Sequence, residues 1–202
     1  MGYDFAMNFL LVPIGWLQFW LFLGIAILFF VALIRTLMKR MPESGGRREG
    51  KSRLGIILQS ISFFFVGFGS AHPSLPLLSP AALAGAAAVL LLMGGCLYLF
   101  AASAGALGKN WSLEARTRAD HQLIRAGPYA RVRHPIYLGM LLFLLGLAVA
   151  MGHWLQLVVG LPLFLIGTSI RTRTEDRLLE EQFGDEFRAY AASTPALIPG
   201  IR

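Results

Sequence analysis

Apolar residues in this chain fall into long runs. They do not alternate as in a strand or follow the narrow stripe of an amphipathic helix. Phe9 to Ile34, Leu54 to Ala71 and Ala81 to Leu107 are apolar almost throughout. A helix of about 20 such residues crosses roughly 30 Å of hydrocarbon, so each run predicts one span. A further run, Ile136 to Ile170, is broken at Gly152-His153 and predicts a tight hairpin of two short helices. Each arm is about 16 residues, roughly 24 Å at the helical rise, which calls for tilt or a thinned bilayer. The expected fold is all-α: a polytopic membrane bundle of about five helices, ending in a helix that continues the fifth span. Residues 1–107 carry the first three spans, and 108–202 carry a polar connecting segment, the hairpin and the final helix. The two parts form one structural unit.

The charges sharpen this picture. All 18 Lys and Arg fall in three clusters, Arg35 to Arg53, Lys109 to Arg133 and Arg171 to Arg202. Residues 1–34, 54–108 and 134–170 contain none. Five spans put all three clusters on one side, and the excess of positive charge in cytoplasmic loops makes that side the inner one. The N-terminus, with Asp4, the uncharged Ala71–Pro80 loop and the Gly152-His153 turn are expected outside. No basic patch precedes the first span, which argues against a cleaved signal peptide.

The 202 residues are 56% hydrophobic and 14% charged, too apolar for one small core in water and too rich in Leu and Phe for a disordered chain. The net charge of +7 follows the span ends, so membrane lipids and not nucleic acid are the expected partners. The loop around Gly45-Gly46 reads as a flexible basic anchor on anionic headgroups. A single cysteine, Cys96, excludes a disulfide scaffold and reads as inert core. The small residues Ala81–Ala88 and Gly94-Gly95 read as close helix packing. His72 and His153 read as interfacial residues. Neither has a second ligand nearby in sequence, so no metal is expected.

Two segments hold nearly all the remaining polar chemistry. In the first, Gly127-Pro128 marks a turn, and Arg133-His134-Pro135 stands at the mouth of the fourth span. Proline suits a first helical turn, and the helix terminus there favours anions. Tyr129 and Tyr137 offer aromatic faces to a cation. The competing reading is that these residues only anchor a helix at the interface. In the second segment, Arg171, Glu175, Leu178 and Leu179 share one helix face. Glu175 either pairs with Arg171 one turn away or grips ribose hydroxyls or an ammonium group. No Walker loop, nucleophile elbow or dinucleotide fingerprint appears, so chemistry here needs a cofactor that carries its own reactive group.

These residues carry a resemblance. The run His121, Leu123, Gly127, Tyr129, Arg133-His134-Pro135, Tyr137, Gly139 closely resembles the isoprenylcysteine carboxyl methyltransferase family. So does the run Arg171, Glu175-Asp176, Leu178-Leu179, Phe183-Gly184, Phe187, Tyr190. Phospholipid N-methyltransferases and some membrane sterol reductases share parts of the pattern. The likeness covers the chain from Leu107 onward and makes 108–202 the methyltransferase core. It departs at Asp176, where the family usually has a second Glu, and at Phe187, where it usually has Tyr.

The resemblance implies S-adenosylmethionine as cofactor, bound at the cytoplasmic rim. His121, Gln122, Leu123 and Ile124 would line it. Tyr129 and the run His134, Pro135, Ile136 and Tyr137 would hold its methionine and sulfonium portions, and Glu175 would bind it as well. Arg171 would meet an anionic group of the acceptor, and Arg133 would help orient that acceptor. The implied activity is methylation of a lipophilic small molecule or prenylated substrate, foremost the carboxylate of an isoprenylcysteine. Phospholipid amine methylation, a nicotinamide-dependent reductase of the related fold and a non-catalytic membrane subunit stay open at this level.

Overall fold

The computed structural model describes residues 12–38, 47–48, 51–108, 116–117 and 122–200. His121, Asp4 and the Gly45-Gly46 loop lie outside the described residues. The elements are α1 Trp16–Met38, β1 Arg47–Arg48, α2 Lys51–Gly67, α3 Pro80–Leu107, β2 Arg116–Thr117, a 3-10 turn Gly127–Ala130, α4 Pro135–Met151, α5 Leu157–Phe183 and α6 Asp185–Ser193. Among the described residues the regular structure is helical apart from one two-residue ladder, which the hydropathy pattern does not predict.

Local chemistry sets several boundaries. Ser79 caps α3 by accepting the Ala82 N–H, with Pro80 in the first turn. Pro135 opens α4 after His134 as N-cap residue, and Gly152 ends it in the left-handed conformation at φ 74°. Glycine tolerates that φ because it has no Cβ.

The predicted hairpin takes a different form. Its second arm continues past Ile170 as one helix with the polar segment, as the shared face of Arg171, Glu175, Leu178 and Leu179 predicts. It runs 27 residues to Phe183, where Gly184 at φ 53° stops it before α6. The two arms do not mainly pack on each other: α5 lies along α2, and α4 along α3, with α1 packed on α3 and also touching α4. Small residues explain the choice of partner, because they let backbones approach closely. A Cβ on Gly167 would lie 2.8 Å from the Gly55 carbonyl oxygen, and one on Gly15 would lie 2.8 Å from the Ala82 Cβ. Gly95 and Gly146 make equivalent room at Leu142 and Met93. Phe143 of α4 ties the bundle together. It packs on Phe22 and Phe29 of α1 and Phe63 of α2, with ring centroids 5.7, 5.3 and 5.6 Å away. Phe63 in turn meets Phe164 of α5, and Phe29 meets Phe100 of α3.

The connections gather at two ends. At one, the Val12 and Ile14 N–H groups donate to the Gly152 and His72 carbonyls. His153 is also here, and it is fully buried and not interfacial: Nδ1 lies 2.8 Å from the Val66 carbonyl oxygen. A ring trapped between two helix ends finds its partners there and not in water. At the other end β1 pairs antiparallel with β2, Arg47 opposite Thr117. The first two basic clusters thus meet at one end, as alternating passes require. By length and hydropathy, α1 and α3 can cross a membrane, while α2 from Ser52 and α4 are shorter apolar helices. The outer faces are apolar as well: Trp20, Ile27, Phe64, Phe68 and Leu91 are all more than half exposed.

Candidate functional site

The site builds up from the N-terminus of α4. Because Pro135 fixes where the helix begins, Arg133 and His134 stand outside it, in the non-helical backbone just before its first turn. Their N–H groups donate to the Pro195 and Ala196 carbonyls at 2.9 Å each. The segment after α6 therefore docks on the residues that open α4. Arg133 reinforces this: Nη1 donates to the carbonyls of Ala191 and Thr194 at 3.0 and 2.5 Å, and Nη2 to Asp176 Oδ2 at 2.9 Å. The geometry gives Arg133 three partners within the protein, all on α5, α6 and the segment after it.

His134 is buried between the two carboxylates of α5. Its Nε2 lies 3.0 Å from Asp176 Oδ1, and its Nδ1 lies 3.5 Å from Glu175 Oε2. Burial by itself would lower its pKa, but the hydrogen bonds and charges of Asp176 and Glu175 outweigh that and push it up to about 9. The imidazole is thus an imidazolium at neutral pH. Asp176 moves the opposite way. Burial would raise it, but bonding to His134 and Arg133 holds it below the ordinary aspartate value. A carboxylate at 176 is one methylene shorter than Glu, and it reaches both cations.

Glu175 has its second oxygen hydrogen-bonded by the Tyr137 hydroxyl. Tyr129 is buried nearby on the 3-10 turn, and its phenol is raised by burial and then by the Glu175 charge. The Tyr190 hydroxyl donates to the Tyr129 carbonyl at 2.7 Å, tying the turn to α6. An exposed pair, Arg125 Nη2 to Glu186 Oε1 at 2.5 Å, adds a second tie. A carboxylate flanked by two tyrosine rings is a donor set that fits a sulfonium or ammonium cation.

Arg171 is buried one turn below Glu175. Its guanidinium carbon stands 4.8 Å from the centroid of the Tyr137 ring, and Nη1 donates to Gln59 Oε1 of α2 at 2.9 Å. One aromatic face offered to a cation thus meets a cation of the protein itself. Of the other candidates, Pro135 is buried, Leu123, Ile124 and Ile136 are half-buried, and Gln122 is exposed. The structure brings Arg133, His134, Tyr137, Arg171, Glu175 and Asp176 together, with Tyr129 beside them. Asp176 and Gln59 are the residues that reasoning from sequence did not assign. The family pattern flagged Asp176 only as a departure. Gln59, a single amide in an apolar run, carried no signal beyond being polar there.

Comparison with known proteins identifies the family. A family model described as phospholipid methyltransferase matches residues 83–186, which runs from α3 through both site-bearing segments. The cobalt-zinc-cadmium resistance protein CzcN of Cupriavidus metallidurans is 37% identical over 115 residues, covering 56% of this chain and 50% of that protein. A protein-S-isoprenylcysteine O-methyltransferase of Schizosaccharomyces pombe is 30% identical over 106 residues, covering 52% and 45%. One of Saccharomyces cerevisiae is 30% identical over 89 residues, covering 44% and 37%. The chain spans half or less of the length of these relatives. The matched region includes Arg133 to Tyr137 and Arg171 to Asp176, the residues that meet at the rim, and with them the chain belongs to the phospholipid methyltransferase family.

Proposed function

We propose that this protein is an integral-membrane methyltransferase that uses S-adenosylmethionine and methylates a lipophilic acceptor, foremost the carboxylate of an isoprenylcysteine. The observation that carries the reading is the meeting of two polar segments about 40 residues apart in sequence, through Tyr137 with Glu175 and His134 with Asp176. An inert bundle has no need for two carboxylates, an imidazolium and a buried arginine at one rim, since each costs desolvation. Two relatives named for isoprenylcysteine O-methylation support the acceptor class.

S-adenosylmethionine, when bound, supplies a methyl group on a cationic sulfur, open to in-line displacement. Glu175, held by Tyr137 and His134, presents fixed negative charge to that cation. Tyr129 and Tyr137 supply aromatic surface beside it, and Gln122 to Ile124 line the same side. Arg171 binds the acceptor's anionic group. Arg133 fastens α6 and the segment after it over the rim, which excludes water and strengthens every charge interaction beneath. A carboxylate acceptor is already ionised, so the residues need only align the reactants. An amine acceptor needs a base, and His134, already protonated between two carboxylates, does not serve as one. That favours oxygen over nitrogen as the methylated atom.

In this reading five helices cross the bilayer, α5 does so with its first half, and the rim faces the cytoplasm. The test is transfer of a labelled methyl group from S-adenosylmethionine to host membrane extract, with the product identified. A base-labile lipophilic methyl ester is expected. Calorimetry completes it: S-adenosylmethionine should bind, and Glu175→Ala should weaken it by roughly tenfold or more. Binding of reduced nicotinamide cofactor without S-adenosylmethionine overturns the reading in favour of a reductase.

A further inference from the structure

Asp176 departs from the family pattern, and the structure places it against both basic residues that open α4. Its Oδ2 accepts from Arg133 Nη2 at 2.9 Å, and its Oδ1 lies 3.0 Å from His134 Nε2. On the other side of the ring, His134 Nδ1 lies 3.5 Å from Glu175 Oε2. The imidazole is 5% exposed, so these two carboxylates are what its nitrogens meet. An ionised carboxylate only accepts, whereas a neutral imidazole has one N–H and one lone pair. A neutral ring would therefore turn its lone pair on one of the two carboxylates, and only the imidazolium can donate to both sides. The other ionisable groups near the ring do not compete for its protons. Arg133 can only donate. The Tyr137 ring lies 5.8 Å away with its hydroxyl given to Glu175, and Arg171 stands across that ring. Tyr129 and Tyr190 are phenols pushed up by burial, so they keep their own protons.

We propose that Asp176 is a positioning residue for Glu175: it keeps the imidazole of His134 doubly protonated, with one N–H turned to Asp176 and the other aimed at the carboxylate that meets the cofactor. This rests on the reading that Glu175 faces the cationic sulfur of S-adenosylmethionine. Asp176 offsets Arg133 with one oxygen and holds the second ring proton with the other. The imidazolium can then stand beside Glu175 as a hydrogen-bond donor whose charge a second carboxylate shares. With a neutral residue at 176 the ring holds its second proton less firmly. While it still carries that proton, two cations lie beside Glu175 with no second carboxylate to share them, and they oppose a third.

The experiment follows the His134 ring by nitrogen NMR in the full chain in detergent, its signal assigned by loss in His134→Asn. S-adenosylmethionine affinity is read by calorimetry over the same pH range. The hydrogen bonds and charges of both carboxylates push the ring up to about 9 in the unmodified protein. In Asp176→Asn the ring midpoint should fall by roughly one pH unit or more. Because the cofactor is a cation, it binds better once the ring has lost its charge. The variant's affinity relative to the unmodified protein should therefore be lowest below the new midpoint and recover by roughly fivefold or more as pH rises through it. Asp176→Glu keeps a carboxylate there and should restore both readings. Asp176→Ser, small and neutral, carries the test where Asp176→Asn does not fold. A midpoint that stays put in the neutral variants, or falls equally in Asp176→Glu, overturns the assignment. So does a relative affinity that does not change with pH, since that is general damage to the site. Failure of the unmodified protein to bind S-adenosylmethionine at any pH overturns the cofactor reading and with it the role of Asp176.

Discussion

His134 shows how much a single side chain at the rim depends on its partners. With its pKa raised from 6.5 to about 9 in the folded protein, its charge contributes stability that is fully present below about pH 6.5 and lost as pH rises through 9. The melting midpoint in detergent should therefore fall by about 5 °C or more between pH 7 and pH 10. His134→Asn should flatten that limb, and an unchanged slope in the variant would remove His134 as its source. Asp176 works in the other direction, its contribution fading only as pH falls below the ordinary aspartate value. Arg133 holds carbonyls of α6 and of the segment after it as well as Asp176. Arg133→Ala should cost about 2–3 kcal/mol and speed protease cleavage after Gly184. A cleavage pattern like that of the unmodified protein would show that the latch is held elsewhere.

Between elements, the decisive contact is the crossing of α2 and α5, where no residue larger than glycine fits at 55 or 167. A Cβ on Gly55 would collide with Arg171 Cγ and lie 2.7 Å from the Gly167 carbonyl oxygen. Gly55→Ala is expected to cost about 1–3 kcal/mol and to displace Arg171, so acceptor affinity should fall along with thermal stability. Gly94 on α3 is the contrast: a Cβ there meets nothing within 4 Å, and Gly94→Ala should be neutral or stabilise by up to about 1 kcal/mol. Thermal melts of the two variants side by side check both statements. The sequence flagged the small residues of α3 as packing surface, and at Gly95 they are. It gave no such signal for α2, where the small and polar residues Gly55, Gln59 and Ser62 are scattered among large apolar ones and become a stripe only on the wound helix.

For the whole molecule, alternating passes put the 70–80 connection and the Arg131 region at opposite ends of the bundle. Cys96 is buried, so engineered cysteines can be read against a quiet background. In sealed, right-side-out vesicles Ser74→Cys should react with a membrane-impermeant maleimide, while Ala130→Cys should react only after the vesicles are opened. The reverse pattern would invert the proposed orientation, and labelling of both from outside would break the odd number of passes between them.

Sequence alone determined what depends on composition and on order along the chain. Apolar runs and basic clusters gave helices and their alternation, because burying a backbone in hydrocarbon leaves a helix as the available form and charge stays at the ends. Spaced polar residues pointed to both segments of the rim. Tertiary structure decided what depends on which surfaces meet. It settled that α5 leans on α2 and not on α4, that His153 is buried, that Arg133 faces the chain's own carbonyls, and that Gln59 reaches Arg171 across 112 positions. Those contacts follow from how closely two helices approach. That distance is set by glycines and side-chain volumes on both partners at once, which no local pattern in one chain segment records.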